Sequence, residues 1–254
     1  MRIVSYNILD GGEGRADPLA EVIEAQRPDV VALLEADVPA TVERIARRLS
    51  MDFIIAPAEK HGSALLSRWP IKESINHAAA NPAIRQSFLE ATVQSPDGHD
   101  WPIGVLHLLA QATEAAEDER MHVLPIVLDL FKEHRRAKRP HLICGDFNSS
   151  APYQRVDPAR CKIKTQQAWE QNGHQLPRRV IEAMIGVGYV DTYSLLHDEG
   201  VELIGSFTTQ HPGQRVDYIF AWGIAAADVK DAWVEQDRLA KYASDHFPVG
   251  AEIR

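Results

Sequence analysis

Five short segments of this sequence set a polar residue at the end of, or inside, an apolar run. Asn7 interrupts Ser5-Tyr6-Asn7-Ile8, and Glu35 follows Leu33-Leu34. His107 lies within Val105-Leu106-His107-Leu108, while Asp146 and Asn148 end Cys144-Gly145-Asp146-Phe147-Asn148. Asp217, in Arg215-Val216-Asp217-Tyr218, pairs with Ser244-Asp245-His246-Phe247-Pro248 as the fifth. Taken singly, each has an ordinary explanation: a strand-end turn, a helix cap, a satisfied core histidine, an Asp-x-Asn turn, a chance dipeptide. Taken together, they supply the parts of one reaction. Carboxylate oxygens are the hard ligands that Mg2+ and Mn2+ prefer. A buried Asp facing a His fixes the tautomer of the ring and raises its basicity. Period 2 puts Asp146 and Asn148 on the same side if their strand runs on. The set holds no thiolate and no cluster of histidines, which favours Mg2+ or Mn2+ over Zn2+. Such a collection fits metal-assisted hydrolysis of a phosphate ester. Asp146 would hold or deprotonate a water, Asn148 would orient it or donate to a phosphoryl oxygen, and His107 would donate to an anionic group. No G-x-x-x-x-G-K-[ST], no G-x-G-x-x-G after a strand and no G-x-S-x-G occurs, which weighs against P-loop transfer, dinucleotide redox and serine-esterase chemistry.

The elements that must position these residues alternate between strand and helix. Ile3–Ile8 reads as a strand and Asp17–Gln26 as an amphipathic helix opening on Asp-Pro. Val30–Leu34 is a continuous apolar run, the pattern of a strand covered on both faces. Pro39–Leu49 is a second amphipathic helix. Phe53–Ala56, Ser63–Ser67, Ile71–Ala78, Ser87–Gln94 and Trp101–His107 read as strands, punctuated by Trp69-Pro70 and Pro96-Asp97-Gly98. Thr113–His134 is the longest helical pattern, with Pro125 as a point of kinking or division. His141–Cys144 is another buried strand. Ser149–Pro177 loses its periodicity and reads as a polar surface excursion. Arg178–Ile185 is helical, and Val216–Ala221, Asp228–Glu235 and Pro248–Ile253 read as closing strands. The expected architecture is one α/β domain over residues 1–254, many-stranded, with helices outside.

At 254 residues, with 45% hydrophobic and 25% charged, the chain can bury a large core without disulfides, and a disordered or fibrous chain is excluded. The net charge of −9 weighs against coating nucleic acid or anionic membrane by bulk charge. Two cysteines, Cys144 and Cys161, make no disulfide framework and suit a reducing compartment. No leader-type apolar segment and no run approaching 18 apolar residues is found, so the expectation is a cytoplasmic protein without stable membrane insertion.

Seven segments, in order, resemble the endonuclease/exonuclease/phosphatase superfamily: Ser5–Leu9, Leu34-Glu35, Gly62–Ile71, Leu106–Leu108, Gly145–Asn148, Arg215–Phe220 and Ser244–Val249. The resemblance implies a four-layer α/β sandwich, two packed mixed β-sheets flanked by helices, and a Mg2+- or Mn2+-dependent phosphoesterase. It implies a metal at Glu35, with Asn7 close by and Asp245 contributing. Asp146 would align or deprotonate the water, supported by Asn148. His246, oriented by Asp217, would contact the scissile phosphate or move a proton, and His107 would donate to a phosphate oxygen. Arg120 resembles an Arg that often follows that His and would sit near the phosphate. Two departures matter. Leu34 stands where many relatives carry Gln, and the His107 segment is similar to the sphingomyelinase, deadenylase and general phosphodiesterase branches rather than to abasic-site endonucleases.

The expected partner is therefore a phosphoester, most simply a phosphodiester, carried by a small molecule, a lipid head group or a nucleic acid; no partner protein is implied. A DNA-repair endonuclease or exonuclease is the alternative, and it needs a basic groove from Arg44, Arg47 and Arg48 or from Arg135, Arg136, Lys138 and Arg139. A catalytically inactive binding module on the same fold is the third reading. Specificity would lie in loops around Gly11–Gly14, Ala80–Arg85 and Ser149–Pro177.

Overall fold

A computed structural model describes every residue of the chain except Leu203. The chain begins with β1 (Arg2–Asn7), α1 (Ala16–Ala25), β2 (Val30–Leu34), α2 (Pro39–Leu49), β3 (Asp52–Ala56) and β4 (Ser63–Ser67). Next come β5 (Ile71–Asn76), the short helix α3 (His77–Ala80), β6 (Ser87–Gln94), β7 (Asp100–His107), α4 (Glu114–Leu130), α5 (Lys132–Arg136) and β8 (His141–Asp146). The last third holds α6 (Ile163–Gln171), α7 (Arg179–Gly186), β9 (Val190–Asp191), β10 (Asp217–Trp222), β11 (Val229–Val234), α8 (Ala240–Ala243) and β12 (Val249–Ile253). One sheet runs β11-β12-β1-β2-β4-β3 and the other β5-β6-β7-β8-β10-β9.

Each sheet is mixed, and its parallel pair lies at its centre: β1 with β2, β7 with β8. Covered strands are apolar on both faces, and the packing shows where each face goes. Val30, Ala32 and Leu34 of β2 join Leu89, Val105, Leu142 and Cys144 in the layer between the sheets. Val31 and Leu33 turn outward onto Leu19, Ile23, Val42 and Ile45 of α1 and α2. On the opposite side, Phe88, Leu106 and Ile143 meet Leu124 and Val127 of α4 and Val180, Ile181 and Met184 of α7. The four-layer sandwich of the sequence reading is thus the observed fold.

Three local expectations change. The strand read as Ile71–Ala78 stops at Asn76, whose side chain accepts the Ala79 amide and caps α3. Helix α4 runs past Pro125 without division; the break comes at Phe131, before α5. The Ser149–Pro177 excursion contains α6, whose buried residues are only Thr165 and Ala168, too few to leave an apolar rhythm.

Candidate active site

The two central parallel pairs end side by side, and their C-terminal ends carry the polar residues. In open α/β sheets that is where ligands bind. Asn7 ends β1 and Glu35 follows β2, with left-handed backbone at Glu35 (φ 55°) turning the chain off the strand. Glu35 Oε1 accepts Asn7 Nδ2 at 3.1 Å and Oε2 accepts the Asp10 amide at 2.8 Å. The same Asn7 Nδ2 lies 3.3 Å from Asp146 Oδ2, so one amide spans the two sheets. His107 and Asp146 are register partners at the ends of β7 and β8, with Nε2 3.7 Å from Oδ2. Gly145 permits that pairing: a Cβ there would sit 1.9 Å from the Leu106 carbonyl oxygen.

Strand β8 stops at Asp146, which corrects the idea of two residues on one continuing strand face. Asn148 adopts a left-handed backbone (φ 50°), donates its amide N–H to Asp146 Oδ1 at 2.9 Å, and donates Nδ2 to Leu108 O at 3.0 Å. It locks the Asp146 carboxylate from behind. Asp217, the register partner of Asp146 on β10, accepts His246 Nδ1 at 2.9 Å and Ser206 Oγ at 2.6 Å through one oxygen. His246 Nε2 is 3.7 Å from Asp146 Oδ2. Asp146 and His246, with Glu35, His107, Asn148 and Asp245, line a cavity of about 470 Å3, a size that suits a small molecule or a chain end. Arg120 is brought close: it lines a second cavity with Glu35 and His107, and its Nη2 has no partner among the described residues. It is fully buried, pairs with Glu117 (2.8 Å), and donates to the carbonyls of Leu109 and Gln111, bracing the loop after β7.

A profile of the Endonuclease/Exonuclease/phosphatase family matches residues 4–246. The chain belongs to that family. No curated protein sequence matches it. Among solved structures, a 3' phosphatase from Neisseria bound to a product DNA hairpin superposes with a TM-score of 0.75 at 19% identity, covering 100% of this chain and 99% of that one. An AP endonuclease from Archaeoglobus fulgidus gives 0.74 at 19% identity, over 100% and 99%. An endonuclease/exonuclease/phosphatase from Beutenbergia cavernae gives 0.73 at 22% identity, over 100% and 71%.

In this member of the family, burial and charge set the protonation of the site. Burial and the neighbouring Asp217 carboxylate raise Asp146 to about 7. Burial opposes a charge on His246, but the Asp217 and Asp146 carboxylates outweigh it and raise its pKa to about 10. Burial drives His107 down to about 4, against the pull of Glu35, so its ring is neutral at pH 7. Burial would raise Glu35; the Asp10 amide, His107 and Asn7 outweigh it and hold the carboxyl below its ordinary value.

The donor set fits a hard divalent ion. Glu35, Asp146 and Asp245 line one cavity, and Asp217 Oδ1 and Asp245 Oδ1 are buried without a hydrogen-bond donor. Two groups bring ligand atoms within 4.8 Å of one another: Asp146, Asp217 and His246, and Asp10, Glu35 and His61. Sequence reasoning missed Asp10 and His61, although His61 immediately precedes the Gly62–Ile71 segment. It also missed Ser206, whose hydroxyl accepts the amides of Val216 and Asp217 (3.0 and 3.2 Å), and Phe207, which packs on the His246 ring at 4.5 Å. Neither carries a signal beyond lying shortly before the Asp217 strand.

Proposed function

We propose that this chain is a divalent-metal-dependent hydrolase of phosphoester bonds, acting on a phosphodiester by in-line attack of water, as one catalytic domain over residues 1–254. The supporting observation is the Asp146–His246–Asp217 cluster. A carboxylate with a pKa near 7 stands 3.7 Å from an imidazolium held by a second, buried carboxylate. A general base works best when its pKa lies near the operating pH. Asp146 takes the proton of the attacking water, and Asn148 keeps its carboxylate aimed. His246, charged at neutral pH, faces the phosphoryl oxygens, and Asp217 fixes its ring. Neutral His107 donates to a further phosphate oxygen. A bound Mg2+ or Mn2+, held by Glu35 with Asn7 and Asp245 beside it, would offset charge developing on the phosphorus ligands. The cytoplasmic assignment rests on Cys144 and Cys161, both buried and free, since reducing compartments keep thiols unpaired. No helix among the described residues is long and apolar enough to cross a membrane.

The DNA-directed reading draws on the solved neighbours, two of which are named for DNA-processing activities. The basic runs that it would use are partly occupied. Arg44 pairs with Asp17, Arg47 with Glu43, and Arg136 with Glu133, while Arg135 donates to Leu128 O. The small-ester reading is therefore preferred. The test is hydrolysis, with and without Mg2+ or Mn2+, of a bis-aryl phosphodiester, a phosphomonoester, sphingomyelin, abasic duplex and single-stranded nucleic acid. Metal-dependent turnover of the diester, lost in Asp146→Asn and His246→Ala, is the expected result. Full activity of both variants overturns the site assignment. Salt-sensitive cleavage of abasic duplex alone moves the reading to DNA repair, and complete inactivity with Mn2+ to a binding module.

A further inference from the structure

A second meeting of two carboxylates and an imidazole lies outside the buried cluster, at the rim. The resemblance points to Glu35 with Asn7 and Asp245; it is silent on Asp10 and His61, whose ligand atoms lie within 4.8 Å of each other and of Glu35. The orientation of His61 is set from behind. Its Nδ1 is 2.9 Å from Asp37 Oδ2, and Asp37 Oδ1 accepts the Gly62 amide at 2.6 Å. That leaves Nε2 as the ring nitrogen with a free lone pair. A carboxylate on one imidazole nitrogen is the usual support for a metal on the other. Asp10 is held beside Glu35 by its own backbone, whose N–H donates to Glu35 Oε2 at 2.8 Å.

The space at this corner also points to a polar guest. A cavity of about 400 Å3 is lined by Glu35, His61, His107 and Arg120, among others. Two of these are buried and carry a nitrogen with no partner among the described residues: His107 Nδ1, and Arg120 Nη2, a charged donor that calls for an anionic oxygen beside the ion rather than for the ion itself. Buried polar groups left unpaired mark an unfilled contact.

We infer that Asp10 and His61 join Glu35 as protein ligands of the divalent ion, that Asp37 is the positioning residue for His61, and that the imidazole biases the site toward Mn2+ over Mg2+. Imidazole suits transition ions, whereas Mg2+ keeps oxygen ligands and water. The inference rests on the metal-dependent reading above but can fail separately from it.

The test is Mn2+ binding followed by electron paramagnetic resonance, with pulsed detection of nitrogen coupled to the bound ion. Wild type is expected to show nitrogen modulation. His61→Asn is expected to lose it, and its preference for Mn2+ over Mg2+ falls about tenfold or more. Asp37→Ala is expected to weaken Mn2+ binding by about 10–100-fold, the usual effect of removing such a support. Asp10→Asn, on an exposed residue, gives a second weakening that does not disturb the Asp37–His61 pair. Modulation that survives His61→Asn but vanishes in His246→Gln places the ion in the buried cluster and overturns the inference while metal dependence stands. No Mn2+ binding at all removes the inference and the metal-dependent reading together.

Discussion

Two carboxylates and one imidazole meet twice in this molecule, and solvent makes the two meetings opposite. Asp146, Asp217 and His246 are buried, whereas Asp10 is exposed and Glu35 and His61 are half-buried. In the buried cluster, charge is costly and must be shared: Asp146 is pushed up to about 7, while His246 is held charged up to about 10. At the rim, hydrogen bonds and neighbouring imidazoles keep Glu35 below its ordinary value, ready as an anion. One corner is built to hold protons, the other to hold a cation. Asn7 touches both, through Glu35 at 3.1 Å and Asp146 at 3.3 Å.

The sharpest way to break this division is to neutralise each corner alone. Asp146→Asn is expected to lower kcat by about 10²–10⁴-fold, the range for removing a general base, while leaving Mn2+ affinity within a few-fold. A joint loss of turnover and Mn2+ binding would merge the corners into one metal site. Equal substitutions also separate them by stability. Asp217→Asn strands the buried His246 charge and should cost about 3–5 kcal/mol at pH 7 by denaturant unfolding. Asp10→Asn, on an exposed residue, should stay within about 0.5 kcal/mol. Equal costs would show that burial is not what distinguishes them.

Acidity gives a smaller effect with a definite sign. The folded pKa of His246 is raised, so its contribution to stability is full below about 6.5 and is lost as pH rises toward 10. Asp146 behaves alike over a lower window: its contribution is lost as pH rises from about 4 to 7. His107 runs the other way, its contribution lost as pH falls from about 6.5 to 4. The Tm of the ion-free protein should therefore fall between pH 7 and 10, with a flatter slope in His246→Gln. An unchanged slope in that variant would assign the titration elsewhere.

Much of this was legible in the chain because strands announce their ends. The apolar runs before Glu35 and Asp146 and the embedded His107 named the ends of three of the four central strands, and Asn7 the fourth. The pairing of Asp217 with His246 also held, because Asp217 opens β10 and His246 lies just before β12. What escaped depends on turns and packing. Asn148 left the strand for a left-handed turn, and Glu117 and two carbonyls fix the Arg120 guanidinium in a way no spacing shows, with Nη2 left unpaired. Helix α6 was hidden because it lays Gln167, Ala168 and Gln171 along the cavity wall instead of burying an apolar stripe. Asp10 and His61 belong to loops whose meeting at Glu35 no local spacing encodes.

Asn7 is the last place to press, since its amide bonds to both corners. Asn7→Ala removes two hydrogen bonds, to Glu35 and Asp146, that favour the charged carboxylates. A bond to a charged group is worth about 1.5–3 kcal/mol, yet the alanine also relieves the burial of an amide, so the net cost should be about 1–2 kcal/mol. The more telling readout is the acid limb of the rate profile. Without the amide, Asp146 binds its proton more tightly, and the limb should move to higher pH while the limb set by His246 stays in place. A shift of both limbs together would mean that Asp146 and His246 titrate as one unit, and the division of base and charged donor between them would then fail.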